Sequence, residues 1–145
     1  MKKKIIYRTF TLILVFVVIF STPALSLSAH ARYSDYIDSY LAYLYSPNSS
    51  TAQIWFELKA NYTSDKVGVT SITLQVSDDK VNWDNVGTYK DDDYPHLMAS
   101  DTISICTNLE KTVESGHYYR AGLVFYVERD GGYDTRFYTT APLWI

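Results

Sequence analysis

Residues 116–140 read GHYYRAGLVFYVERDGGYDTRFYTT and alternate between two sets of side chains. One set is mostly apolar and consists of Tyr119, Ala121, Leu123, Phe125 and Val127; the other consists of Tyr118, Arg120, Gly122, Val124, Tyr126 and Glu128. A period of two is typical of a β-strand. The run 129–132, RDGG, offers residues that tolerate positive φ, and alternation resumes over 133–140. The stretch therefore predicts a β-hairpin, which we place at the centre of a sheet.

The preceding part of the chain repeats this alternation in short segments. Strands are predicted over 52–62, 68–77 and 102–109, and around 83–89, where the three-residue spacing of Trp83 and Val86 indicates a bulge. Residues 33–45 could form a helix or a strand, and the recurring tyrosines favour a strand. Residues 63–66 and 91–101 are predicted loops, the second long and polar. About seven short strands with frequent turn signals predict an all-β fold, an antiparallel β-sandwich.

The N-terminus has the pattern of a secretory signal. Basic residues at 2–4 and 8 precede an apolar run over 10–20, and Ala29-His30-Ala31 places small residues where a signal peptidase cleaves. The run is too short for a stable membrane span, although an uncleaved anchor is the alternative. We predict a signal peptide over 1–31, a single domain over 32–145, and secretion from the cell.

The charge of the mature chain limits its partners. The predicted signal holds 4 of the 13 Lys and Arg residues and none of the 16 Asp and Glu residues, which leaves 9 basic against 16 acidic residues and a net charge of −7. An acidic chain without a basic stripe is a poor ligand for nucleic acid or an anionic membrane. Cys106 is the only cysteine, so no intrachain disulfide can form. We expect it to be a small packed side chain, with a free or intermolecularly paired thiol as the alternative.

Two resemblances follow from these residues. Gly116, Tyr119 and Ala121 resemble the start of strand F in immunoglobulin-like and fibronectin type III-like sandwiches, where a corner tyrosine bonds the backbone upstream. The whole mature chain also resembles a family of short secreted proteins of Gram-positive bacteria described only as a domain of unknown function. The matching positions are Tyr36-Ile37, Tyr40, Ala42, Val67-Gly68, Ile72, Leu74, Trp83, Val86, Tyr94-Pro95, Met98, Tyr119, Ala121, Gly131-Gly132, Asp134 and Arg136. The resemblance implies secretion and a small β-domain, and it brings no catalytic residues.

No motif in the chain fixes a reaction. His96 has Ser100 and Asp101 nearby in sequence, but no nucleophile elbow accompanies them, so we predict no catalytic residues and no cofactor. Asp91, Asp92 and Asp93 are a weak candidate for a calcium site. Their spacing does not fit an EF-hand loop, and a solvated acidic loop is the preferred interpretation.

The candidate binding surface is the outer face of the hairpin. We predict that the side of the strand opposite Leu123 and Phe125 presents aromatic rings and guanidinium groups together, from Tyr118, Arg120, Tyr126, Arg136 and Tyr138. The alternative is that these residues only cover a solvent-facing sheet, with the arginines paired to Glu128 and Asp134. The sequence thus predicts a non-catalytic binding or structural module with a protein or neutral glycan partner. A secreted hydrolase or inhibitor acting through the 91–101 loop is the alternative function.

Overall fold

A computed structural model describes residues 34–145, which form strands joined by short connections; the predicted signal over 1–31 lies outside the described residues. The strands, in chain order, are β1 (Ile37–Tyr45), β2 (Thr51–Ser77), β3 (Asp84–Lys90), β4 (Met98–Thr112), β5 (Tyr118–Arg129), β6 (Gly132–Thr139) and β7 (Leu143–Trp144). A short 3-10 turn, Pro95–Leu97, precedes β4. Across 34–145 there is no helix with the length and apolar character needed to cross a bilayer.

The fold is all-β, with seven strands in one antiparallel sheet organised around β2. The predicted loop over 63–66 is wrong, because β2 continues through these residues. Ser64 pairs with Thr102 in β4, and Lys66 pairs with both Ser100 in β4 and Glu128 in β5. Polar residues can continue the strand here because the neighbouring strands β4 and β5 hydrogen-bond to its backbone. In addition, the Lys66 ammonium lies 3.3 Å from the Glu128 carboxylate.

The sheet curls, and its two halves share one core. The first half of β2 pairs with β1 and the second half pairs with β3 and β5. β4 pairs with β2 from Thr51 to Gly68, and its ladder is irregular between Lys59 and Ser64. Phe56 from the first half meets Phe125 from the second, with ring centroids 6.0 Å apart, and both are fully buried. Strand alternation places apolar side chains on the concave face of both halves, and their burial is the main driving force for this fold.

The predicted hairpin is confirmed as β5 and β6. Its turn residues Asp130 and Gly131 have φ of 52° and 78°, so both central positions are left-handed, as a two-residue hairpin turn requires. The inner residues of β5 are buried as predicted. The prediction that the hairpin lies at the centre of the sheet is wrong. β5 is interior and β2 is the central strand, but among the described strands β6 pairs only with β5.

The connection from β3 to β4 is shorter than the predicted loop over 91–101. Leu97 in the 3-10 turn is fully buried, and β4 begins at the next residue. A single buried leucine in a polar stretch gives no periodic signal, which explains the error. The bulge in β3 is confirmed, since Leu74 pairs with Gly87 and Gln75 with Asn85, leaving Val86 as the extra residue.

Two further expectations have opposite outcomes. Tyr119 is 3% exposed, and its hydroxyl donates a hydrogen bond of 2.7 Å to the Glu114 carbonyl, so the expected bond from Tyr119 to the backbone upstream is confirmed. Cys106 is exposed rather than packed. Its neighbour Ile105 lies opposite Leu58 on the core face, so alternation turns the thiol to the outer face, opposite Glu57.

Candidate functional site

The hairpin register divides the predicted binding residues between the two faces of the sheet. Residues directly opposite each other in an antiparallel pair have side chains on the same face. Tyr138 lies opposite Leu123, and Arg136 lies opposite Phe125, so both belong to the concave face. Only Tyr118, Arg120 and Tyr126 of the predicted set share the outer face. The prediction that Arg136 and Tyr138 join them is therefore wrong.

The turn is the cause of this register. Arg129 pairs with Gly132 around a two-residue loop, so an even-numbered residue in β5 always faces an odd-numbered residue in β6. Phe137 thus lies opposite Val124, on the outer face. The RDGG sequence contains the signal that could have shown this, because a two-residue turn fixes the parity of the pairing.

The two residues on the concave face have structural contacts. The Tyr138 ring lies 6.1 Å from the ring of Tyr40 and 6.5 Å from that of Phe125, where it covers the edge of the core. Arg136 donates to the Thr135 carbonyl at 2.8 Å, and its guanidinium lies 3.6 Å from Asp134. Tyr138 extends the core and Arg136 forms the expected pair with Asp134.

Arg120 is held flat on the outer face by two neighbours. Its guanidinium carbon lies 4.1 Å from the ring centroid of Trp83, and its Nε donates to the side-chain oxygen of Gln75 at 2.8 Å. Stacking and the hydrogen bond fix the plane of the group. Tyr118 is enclosed in a similar way, with the Trp144 ring at 4.6 Å and the Lys80 ammonium 4.2 Å from its ring centroid.

Tyr126 lies at the other end of the same face. Its ring stacks on Tyr133 at 5.8 Å, and its hydroxyl donates to Glu128 at 2.8 Å. Burial, with the Glu128 hydrogen bond second, raises the pKa of Tyr126 to about 12, so the phenol remains a donor across the physiological range. The hydrogen bond from Tyr126, followed by that from Lys66, lowers the pKa of Glu128. These groups form a closed network rather than an open binding surface.

A groove lies between these two ends of the outer face. Gly122 lies beneath the ring of Phe137, since a Cβ at this position would come 3.1 Å from that ring. The groove has a volume of ≈ 350 Å³ and is lined by Thr73, Gln75, Arg120, Gly122, Phe137 and Thr139. Phe137 is 71% exposed, which leaves much of its ring available. Arg120 belongs to the predicted binding surface, whereas Phe137 was not among the predicted residues.

A second, larger depression lies where the two halves of the sheet open. It has a volume of ≈ 660 Å³, and His117 and Asp78 line it with their side chains 2.5 Å apart. Ser77 is also in the lining, but its hydroxyl donates to Asp79 and accepts from the backbone of the following turn. Within residues 34–145, no hydroxyl or thiol bonds His117, so the His117–Asp78 pair lacks a nucleophile in contact.

Asp79 organises the turn beside this depression. Its carboxylate accepts hydrogen bonds from the backbone N–H groups of Val81 and Asn82, each at 2.8 Å. These bonds, with that of Asn82 first, hold the pKa of Asp79 well below its ordinary value. The group is a structural acceptor that stays ionised in mildly acidic solution.

The 91–101 segment does not assemble a reactive group. His96 places its Nε2 atom 3.1 Å from the backbone carbonyl of Asn108, whereas Ser100 and Asp101 belong to the first part of β4. For the weak calcium candidate Asp91, Asp92 and Asp93, the described residues include no group of three acidic, histidine or cysteine side chains placed to hold a metal ion. The predicted hydrolase or inhibitor action of this loop stays a prediction.

Comparisons with known proteins place the chain in no family. No family model matches it, and no curated protein is significantly similar to it in sequence. A crystal structure of a protein from Archaeoglobus fulgidus matches with a TM-score of 0.34 and 8% identity, covering 75% of this chain and 97% of that chain. At that score the likeness carries no argument, so function has to be inferred from the geometry above.

Proposed function

We propose that this protein is a secreted, non-catalytic binding module that holds a neutral glycan in the groove above Gly122. The observation that carries the proposal is Phe137, an aromatic ring that is 71% exposed on the outer sheet face, lines the groove and packs on Gly122. The apolar faces of exposed aromatic rings can stack on the C–H faces of sugar rings.

Polar groups suited to sugar hydroxyls surround this ring. Thr73 and Thr139 offer hydroxyls, Gln75 offers an amide, and Arg120 offers guanidinium N–H donors that Trp83 keeps in one plane. Such a mixture of one aromatic face and a few fixed polar groups is typical of small-ligand sites. The negative charge of the chain favours an uncharged ligand over a polyanion.

The finer classification is part of the same proposal. We infer an immunoglobulin-like or fibronectin type III-like sandwich, membership of the secreted Gram-positive family, and export through the 1–31 signal. The hydrogen bond from Tyr119 to Glu114 and the stacking of the two sheet halves at Phe56 and Phe125 support the sandwich assignment. The residue pattern at the N-terminus supports export.

A glycan array followed by calorimetric titration tests the proposal. The purified protein should bind a neutral oligosaccharide, and Phe137→Ala should weaken that binding about 5- to 30-fold, the loss expected when a stacking contact of about 1 to 2 kcal/mol disappears. Tyr133→Ala is the matched control, since Tyr133 is an exposed aromatic on the same face of β6 outside the groove.

The binding measurements have a control and two outcomes that would contradict the proposal. Circular dichroism and melting curves must first show that both variants are folded. Equal loss of affinity in Phe137→Ala and Tyr133→Ala would place the ligand elsewhere, and no binding to any neutral glycan at millimolar concentration would overturn the proposal. If the protein instead binds another protein through Phe137, the groove is the correct site but the proposed ligand class, a neutral glycan, is wrong.

A further inference from the structure

The exposed edge of β4 is a second surface that the glycan groove does not use. Among the strands of residues 34–145, β4 pairs with β2 alone, so its opposite edge is open to them. The backbone N–H of Val113 donates to the Ser50 carbonyl at 2.9 Å, in the same register that pairs Thr51 with Thr112. In an antiparallel ladder the direction of the backbone groups alternates along the strand. Odd-numbered residues of β4 therefore bond β2, and Ser104, Cys106 and Asn108 point their backbone groups outward.

Side chains cover this edge at two of those three positions. The Thr102 hydroxyl donates to the Ser104 carbonyl at 3.1 Å and accepts from the Ser104 N–H at 3.4 Å. His96 places Nε2 3.1 Å from the Asn108 carbonyl. These contacts agree with the outward direction derived from the ladder. At Cys106, which lies between Ser104 and Asn108 on this edge, no described side chain hydrogen-bonds to the backbone N–H or carbonyl.

The composition of this edge differs from that of β6 and β3. Residues 102–108, TISICTN, contain no charge, proline or glycine and are rich in β-branched residues, which is the pattern of a strand that associates readily. By contrast, β6 carries the paired charges of Asp134 and Arg136 on its inward face, and β3 has a bulge at Val86. Charges and bulges of this kind prevent edge-to-edge pairing.

We propose that the edge of β4 binds the same edge of a second copy, antiparallel and centred on Cys106, and that His96 weakens this pairing by occupying the Asn108 carbonyl. A two-fold axis at this point lets each Cys106 N–H donate to the Cys106 carbonyl of the other copy. Ser104 of one copy then faces Asn108 of the other. For the ladder to extend to this pair, the Thr102 hydroxyl must release Ser104 and the His96 side chain must release Asn108. An uncharged segment is complementary to itself, which is what an isologous interface requires.

Sedimentation equilibrium of the purified protein tests the role of His96. The wild type should dimerise weakly, and His96→Ala should lower the dimer dissociation constant about tenfold. In this variant, dimerisation no longer has to break the hydrogen bond between the His96 side chain and the Asn108 carbonyl. His117→Ala is the control, since it removes a histidine that contacts Asp78 rather than the edge. A protein that stays monomeric at millimolar concentration in wild type and His96→Ala alike would overturn the proposal.

Substitutions of Cys106 test the backbone pairing. Cys106→Pro removes an N–H that points away from β2, so it should abolish the dimer and keep the fold. Cys106→Val removes the thiol, keeps the N–H and should leave dimerisation unchanged. Dimers that persist in Cys106→Pro, or vanish in Cys106→Val, would show a different surface or a disulfide and would refute the model. If the proline variant does not fold, Cys106→Lys must abolish dimerisation in its place, because it sets like charges opposite each other.

Hydrogen exchange on the wild type gives an independent measurement. Raising the protein concentration should slow exchange at the N–H of Cys106 and Asn108, which point outward. The N–H groups of Ile105 and Thr107 already bond β2 and should keep their exchange rates. Concentration-dependent protection at all four positions, or at none, contradicts pairing along this edge.

Discussion

Replacement of Tyr119 measures how far one corner residue stabilises the fold. The side chain is 3% exposed, and its hydroxyl donates to the Glu114 carbonyl at 2.7 Å. Tyr119→Ala removes the buried ring and leaves a cavity, which costs about 3 to 5 kcal/mol for a large aromatic residue. Tyr119→Phe keeps the ring and removes only the hydrogen bond, so it should cost about 1 kcal/mol.

Tyr118 is the matched control because it is adjacent and has the same side chain. It is half-buried on the outer face, where it contacts Trp144 and Lys80, and Tyr118→Ala should cost under about 1 kcal/mol. Urea unfolding monitored by tryptophan fluorescence gives the free energies. In thermal melts, each kcal/mol should lower the melting temperature by about 4 °C for a domain of this size.

Alkaline pH provides a second measurement on the same residue. Burial raises the pKa of the Tyr119 phenol above its ordinary value of 10.0, so the unfolded chain loses this proton first. The stability linked to this phenol is therefore fully present below pH 10 and declines above it. Tyr119→Phe should reduce that decline. Equal destabilisation by Tyr118→Ala and Tyr119→Ala would refute the corner assignment.

Three further changes test the packing and the electrostatics. Leu97→Ala should cost about 2 to 5 kcal/mol in urea unfolding because Leu97 is fully buried; a cost below about 1 would show that the turn is not part of the core. Gly68→Ala should cost about 3 kcal/mol, since its Cβ would lie 2.8 Å from a backbone Cα, whereas Gly122→Ala should cost under about 1 because it meets only the end of a movable ring. Asp79 has a pKa below its ordinary 3.8, so its contribution is present at neutral pH and is lost as the pH falls below about 4. Melting curves from pH 5 to pH 2 should fall less steeply for Asp79→Asn than for the wild type or an Asp93→Asn control.

The sequence determined which residues share a face within each strand. Alternation in β5 identified the buried set from Tyr119 to Val127, and the RDGG run identified the turn between β5 and β6. These features are local: the period of two follows from strand geometry, and positive φ follows from residue type. The same reasoning identified the corner role of Tyr119, because the face of a residue depends only on its neighbours in the strand.

The tertiary structure decided how the strands face one another. Pairing across the turn placed Phe137 on the outer face and Tyr138 on the core face, and a shift of one residue reverses every such assignment. Residues 63–66 are polar, yet they continue β2 because strands on its edges satisfy their backbone groups. The exposed edge at Cys106 likewise depends on which strand lies beside β4. The parity of the hairpin pairing follows from its two-residue turn, which is local. The other two relations are set by hydrogen bonds between distant segments, and no local pattern in the sequence contains them.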